Sequence, residues 1–195
     1  MQRIGRRRGA GSPLVGVISD THGLLRPEAV AALAGVDTIV HAGDIGSAEI
    51  LDALRRIAPV IAVRGNNDRD AWAAALPEIA RLEIGETRIW VVHDLKELAE
   101  DPASAGVGVV ISGHSHRPRV ERRAGLLLLN PGSAGPRRFS LPVAMARLHL
   151  APAGPRAEIV ELAVAGPGRG SRPTRRRGLD GARGTGAVSA RGGAR

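Results

Sequence analysis

Three short apolar runs fill the first third of the chain, and each stops at a cluster of small and polar residues. Leu14-Val15-Gly16-Val17-Ile18 leads into Ser19-Asp20-Thr21-His22. Asp37 to Val40 leads into His41-Ala42-Gly43-Asp44. Pro59 to Val63 leads into Arg64-Gly65-Asn66-Asn67-Asp68. The stretches between them carry helix signals. Pro27 opens and Gly35 closes a helix over Pro27 to Ala34. Ser47 fits the N-cap of a second, running to Ile57, with Ile50, Leu51, Leu54 and Ile57 on its buried face. Strand, helix, strand, helix, strand implies parallel pairing with right-handed crossovers. In such sheets ligands bind beyond the carboxyl ends of the strands. The pattern therefore brings Asp20, His22, Asp44 and Asn66 to one edge of one sheet.

The pattern then changes. Ile79 to Ile84 and Arg88 to Val92 flank Gly85-Glu86 as a hairpin, whose second strand ends at His93-Asp94. Leu95 to Glu100 reads as a short helix. Val107 to Ile111 is a strand ending at Gly113-His114-Ser115-His116. Arg119 to Arg122, Leu126 to Leu129, Val143 to Leu150 and Ala157 to Val164 are further strands, with turns at Ala124-Gly125, Asn130-Pro131-Gly132-Ser133 and Ala153-Gly154. Parallel units come first and antiparallel pieces later. Two packed mixed sheets with helices outside accommodate both.

Charge separates a body from its ends. Residues 1–12 carry four arginines and no acid, and residues 164–195 carry eight arginines and one acid. The net charge of +9 is therefore a property of the ends, and the body is mildly acidic. Those Gly/Arg/Pro-rich ends hold too few apolar residues to offset their ordering entropy and are expected to be disordered. Domain limits follow: a basic tail over 1–12, one domain over 13–163 and an Arg/Gly-rich tail over 164–195. Nucleic-acid contact through tail arginines and phosphates is open but not favoured, since no aromatic residue lies between them for stacking. Arg6-Arg7-Arg8 reads as part of a tail and not as an export signal, because the apolar run behind it is short and lacks a small-residue cleavage site. No stretch approaches the roughly 20 apolar residues of a membrane span. A cytoplasmic location without membrane association is expected. The chain has no cysteine, which excludes disulfides, thiolate metal sites and a cysteine nucleophile.

Seven polar residues stand at strand ends: Asp20, His22, Asp44, Asn66, His93, His114 and His116. All can offer a metal an oxygen or an imidazole nitrogen. This mixed set suits borderline transition metals, whereas Ca or Mg would want oxygen alone. Seven ligands are too many for one ion and about right for two that share a carboxylate.

The set Asp20-x-His22, Gly43-Asp44, Gly65-Asn66-x-Asp68, His93 and Gly113-His114-Ser115-His116 resembles the calcineurin-like metallophosphoesterases. The short domain and the Asn130-Pro131-Gly132-Ser133 loop resemble the small YfcE-type branch, which holds phosphodiesterases and also the scaffold subunit of retromer. A lone motif misleads, but here several occur in the family's order across residues 13–163. The resemblance implies an α/β fold, a four-layer α/β/β/α sandwich of two mixed sheets. It implies a dinuclear metal-dependent phosphoesterase, expected to act on phosphodiesters, with two divalent transition-metal ions, Mn first and Ni, Co, Fe or Zn as others. Asp20, His22, Asp44 and His116 would hold one ion. Asp44, Asn66, His93 and His114 would hold the other, with Asp44 as bridge. A hydroxide between the ions would attack phosphorus in line. Asp44, Asn66, Asn67 and His93 are the expected catalytic residues. A homodimer or homotetramer is compatible with the resemblance. The alternative is a non-catalytic scaffold or interaction module on the same fold.

Two positions depart from the family's usual form. Many members have His where Asn67 stands here. Asn67 can donate a hydrogen bond to the phosphate but cannot deliver a proton to the leaving group, so activated esters and diesters should be the better substrates. Asp94 stands where Gly is usual, and is expected either to orient the His93 ring or to compete for the metal. Asp68 is expected to shape its loop and His41 to pack behind the ligands. Arg137 and Arg138 either contact substrate phosphate or are solvated. Trp72 and Trp90 are expected in packing, and His149 half-buried on a late strand.

Overall fold

In the computed structural model, which describes residues 1–4, 11–138 and 140–164, the apolar runs become strands of two sheets. The strands are β1 (Gln2–Ile4), β2 (Leu14–Ile18), β3 (Thr38–His41), β4 (Val60–Ala62), β5 (Ile79–Ile84), β6 (Thr87–Val92), β7 (Val109–Ile111), β8 (Arg119–Arg123), β9 (Leu126–Asn130), β10 (Ala144–Ala151) and β11 (Gly154–Glu161). The helices are α1 (Pro27–Ala32) and α2 (Ala48–Arg55), with one-turn 3-10 segments at Ala71–Ala75 and Leu95–Glu97. One sheet has the order β11-β10-β2-β3-β4, the other β1-β5-β6-β7-β9-β8.

The expected crossovers are in place. β2 pairs parallel with β3, and β3 with β4. β10 closes the other side of β2 antiparallel and continues into β11. In the second sheet β6, β7 and β9 run parallel, with antiparallel β5 and β8 beside them. Both sheets are mixed, as expected.

Alternation on each strand builds the layers. Val15, Val17 and Val40 face Leu82, Ile89, Val109, Ile111 and Leu127 in one core between the sheets. Ile18, Ile39 and Met145 point the other way, under Leu33 beside α1 and Leu51 and Leu54 of α2. Fully burying one such leucine is worth about 1.5–3 kcal/mol. The far face of the second sheet carries Trp90, Val110 and Leu126, covered by Leu98 and Ala105 from the segment after Leu95–Glu97. That outer layer is thinner than the expected short helix over Leu95 to Glu100, because the segment makes only one 3-10 turn. Trp90 is packed here, with the Arg81 guanidinium 5.0 Å from its ring centroid.

Helix ends match the sequence signals in part. Pro27 occupies the first turn of α1, and Gly35, at φ 80°, follows its end. Ser47 holds the N-cap backbone position of α2 without a side-chain capping bond.

The N-terminus corrects the sequence reading. Gln2–Ile4 is a strand, not part of a tail, pairing parallel with β5 in the register Gln2↔Leu82 to Ile4↔Ile84. Ile4 packs on the inter-sheet core and Arg3 reaches Glu83 at 2.6 Å. A three-residue strand with one apolar side chain carries no periodic signal, and what holds it is the edge of β5. Of the expected tails, residues 5–10 and 165–195 lie outside the described residues.

No helix among the described residues is long and apolar enough to cross a membrane.

Candidate metal centre

The loops after β2, β3 and β4 are stitched side by side. Asp20 N donates to Gly43 O at 3.0 Å, His22 N to Asp44 O at 2.9 Å and Gly23 N to Ile45 O at 2.8 Å. The Asp68 carboxylate, buried, accepts from Ile45 N, Gly46 N and Gly65 N, each at 2.9 Å. It clamps the third loop to the second, which is the loop-shaping role expected of it. From the far side Ser133 Oγ donates to Asp20 O at 2.9 Å, and Asn130 Nδ2 donates to Gly113 O at 2.6 Å. The Asn130–Ser133 loop thus fixes the ends of both sheets against each other. In the sequence this loop reads as a turn and a mark of resemblance, with no sign of the hold it takes on both sheets.

This stitching forces the site backbone into unusual geometry. Asp20, His22, Asp44, His114 and His116 all have positive φ, between 45° and 62°. Such left-handed residues other than glycine cluster at functional sites, where surrounding contacts hold them. The glycines allow the approach. A Cβ on Gly65 would sit 2.1 Å from Asp44 N.

All seven expected ligands converge, in two groups. In the first, His116 Nε2 is 3.2 Å from Asp20 Oδ1, and His22 Nε2 is 4.0 Å from that oxygen. The two imidazoles stack with Nε2 atoms 3.5 Å apart. In the second, Asn66 Oδ1 is 3.0 Å from His93 Nε2 and 3.1 Å from His114 Nδ1. Asp44 Oδ2 belongs to both, 3.8 Å from His22 Nε2 and 3.4 Å from His93 Nε2.

The residues behind the ligands set their protonation. His93 Nδ1 donates to Ala42 O at 2.8 Å, so Nε2 faces Asp44 and Asn66. Burial alone would lower the proton affinity of His93. The hydrogen bond to Asp44, the Ala42 carbonyl and the charges of Asp44 and Asp20 outweigh it and raise the pKa to about 9. Burial would likewise raise Asp44, but hydrogen bonds from His93 and Asn67 hold its carboxyl well below the usual range. A cation held here would compete with the His93 proton. Burial lowers His22, with His116 and Arg138 adding and Asp44 and Asp20 opposing.

His41 is fully buried. Thr21 Oγ1 donates to Ile45 O at 2.8 Å and so accepts from His41 Nε2 at 2.9 Å. Burial holds the ring neutral, with a pKa of about 4, despite the nearby carboxylates of Asp20 and Asp68. The His41–Thr21 pair locks the two ligand loops together. Thr21 drew no notice in the sequence; its position between Asp20 and His22 is the signal that could have found it.

One expectation changes. Asp94 does not turn toward His93. Successive side chains leave a strand end on opposite sides, so Asp94 points to the next loop, where Oδ2 is 3.7 Å from His114 Nε2 and Oδ1 accepts from Lys96 N at 3.1 Å. Asn67 lines the cavity and also holds Asp44: Nδ2 donates to Asp44 Oδ2 at 2.6 Å and its backbone N to Asp44 Oδ1 at 2.9 Å. One amide N–H of Asn67 thus holds the shared carboxylate, and the amide has a second N–H to offer to another acceptor. Arg138 also lines the cavity, beside His22, His116 and Asp44.

The donor set fits a cation. Both Asp20 carboxylate oxygens are buried and make no hydrogen bond. An ionised carboxylate out of water needs a compensating positive charge. Donor atoms lie 3.0 to 4.0 Å from their neighbours, a spacing suited to ligands roughly 2.0–2.2 Å from a shared ion. The oxygen and imidazole chemistry is that of borderline divalent metals.

Known proteins bear this out at the level of family. The calcineurin-like phosphoesterase superfamily domain matches residues 14–152. The chain belongs to that family of metallophosphoesterases. It is 42% identical over 136 residues to a probable metallophosphoesterase of Methanocaldococcus jannaschii, covering 63% of this chain and 69% of the relative. It is 28% identical over 137 residues to a phosphodiesterase of the same organism, covering 60% of this chain and 82% of the relative. Among solved structures, Vps29 of Entamoeba histolytica complexed with zinc superposes with a TM-score of 0.58 at 26% identity, covering 76% of this chain and 98% of that one.

Proposed function

We propose that this protein is a dinuclear metal-dependent phosphodiesterase, with Asp44 shared between two divalent transition-metal ions, Mn foremost. The observation that carries the reading is the position of Asp44 Oδ2, 3.8 Å from His22 Nε2 in one group and 3.4 Å from His93 Nε2 in the other. Asp20, His22 and His116 complete the first group; Asn66, His93 and His114 complete the second. Two such ions would supply an activated water and neutralise the phosphoryl oxygens. The neutral Asn66 amide adds a donor oxygen without adding negative charge that would repel phosphate. Arg138, on the cavity wall, binds a phosphate oxygen. Asn67 steadies Asp44 and has no proton for a leaving group, which favours diesters and activated esters over alkyl monoesters.

The test is hydrolysis of bis-p-nitrophenyl phosphate and p-nitrophenyl phosphate by metal-stripped protein, with Mn, Ni, Co, Zn and Mg restored in turn. Activity restored by metal and abolished in Asp44→Ala and His114→Ala is the expected result. A folded protein that binds two ions and hydrolyses neither ester overturns catalysis and leaves a scaffold role on the same fold.

A further inference from the structure

The metal-site cavity, of about 300 Å³, shares lining residues with a second cleft. His114 and Ser115 line both. The second cleft, about 260 Å³, lies between the Asp94-Leu95 turn and the start of β8, with Arg117 and Arg119 on its wall and Leu128 and Leu129 at its base. Asn66 lines both the metal-site cavity and a third cleft, of about 530 Å³. A diester has two organic substituents, and this site has a cleft for each.

The two flanking clefts differ in charge. The Asn66-side cleft is lined by Arg64 and Arg69 against Asp68, Asp70, Glu78 and Glu97. Arg64 is paired with Glu78, and Arg69 Nε donates to Asn66 O. That cleft repels an anion. The His114-side cleft has two arginines against one carboxylate, Asp94, and Asp94 already faces Lys96 N and His114. Glu121 holds Arg119 in place. Arg117 makes no ion pair among the described residues. Among the described residues its guanidinium is the unpaired cation of the cleft, and a guanidinium fork suits a phosphate bidentately.

We propose that the His114-side cleft is a second phosphate subsite, so that the substrate is a phosphodiester with one organic substituent bearing a further phosphate group. Arg117 is the anchor and Arg119 its support. The substituent without charge lies in the Asn66-side cleft. This rests on the phosphodiesterase reading above and narrows its substrate class.

The experiment compares two esters that break the same bond: the p-nitrophenyl ester of thymidine 5′-monophosphate, and that ester carrying a 3′-phosphate. With Mn-loaded protein the 3′-phosphate should lower KM on the order of tenfold, the size of one charge-assisted contact. Arg117→Ala should collapse that ratio, Arg117→Lys should keep part of it, and Arg64→Ala should leave the ratio as it is. Calorimetry with thymidine 5′-monophosphate and thymidine 3′,5′-bisphosphate reads the same preference without turnover. Equal KM values and equal affinities, or a preference that survives Arg117→Ala, overturn the subsite. Loss of hydrolysis with a retained Arg117-dependent preference for the bisphosphate overturns the phosphodiesterase reading and leaves the subsite standing.

Discussion

The side-chain amide of Asn67 donates to Asp44 Oδ2 at 2.6 Å, and the Asn67 backbone N donates to the other oxygen of the same carboxylate at 2.9 Å. One residue thus grips both oxygens of the carboxylate that the two ligand groups share. Asn67→Ala removes the side-chain half of the grip. We expect metal affinity to fall about 10-fold or more, as when partners behind metal ligands are lost. Calorimetric titration of Mn into a variant with wild-type circular dichroism measures it; unchanged affinity would show the grip to be incidental.

Asn67→His tests the missing proton. A histidine there gives the leaving group an acid, typically worth about 10²–10⁴-fold. The expected outcome is a selective gain on alkyl phosphates, whose leaving groups are basic, and little on p-nitrophenyl esters. Equal effects on both classes would sink the idea that proton delivery limits this site.

Asp94 sits 3.7 Å from the outward nitrogen of His114. A carboxylate there favours the tautomer with its proton on Nε2, leaving Nδ1, 3.1 Å from Asn66 Oδ1, as the donor. Asp94→Asn should shift the His114 tautomer balance in nitrogen-detected NMR spectra and weaken Mn binding by about 10-fold. Retention of both the tautomer and the affinity would leave Asp94 as a cap on Lys96 N and nothing more.

His41 makes stability depend on pH. Its pKa is about 4 in the fold, against 6.5 for a free imidazole. Between those values the unfolded chain binds the extra proton, so stability falls as pH falls from 6.5 toward 4. The contribution lost is about 3 kcal/mol at most. His41→Gln keeps a donor for Thr21 but does not titrate. Urea unfolding of both proteins at pH 7 and pH 4 should show the wild-type advantage shrinking by about that amount. A constant difference would mean that His41 can charge inside the fold.

Ala124 has a φ of 48° in the turn between β8 and β9, followed by Gly125 at 85°. That pair of positive angles is a type I′ hairpin, which favours Asn-Gly. A left-handed alanine costs about 1–2 kcal/mol. Ala124→Asn should raise Tm by about 2–4 °C without touching the site, as read by differential scanning calorimetry; a lower Tm would show that the turn is not strained.

Much of this was legible in the residues. The parallel β2-β3-β4 unit came from apolar runs punctuated by helix signals, and the expected ligands stood at strand ends because strands of such a sheet deliver their ends to one edge. Asp94 was misjudged because side-chain direction at a strand end depends on where the next loop crosses. The hold of Asn67 on Asp44 was not legible because the two residues meet only when the loops after β3 and β4 lie side by side. Gln2–Ile4 was missed because its partner, Ile84, lies 80 positions away.

By itself the sequence determined which side chains could bind a metal and which strand each one follows. That is local information, carried by periodicity and turn residues. Only the tertiary structure decided that Asp44 Oδ2 stands between the two groups, that the Asp20 oxygens are shut from water, and that Asp68 clamps the loop after β4 to the loop after β3. Those are relations between segments distant in the chain. They arise when the two sheets pack and the loops at their edge, with Gly65 pressed against Asp44 N, have no room to sit anywhere else.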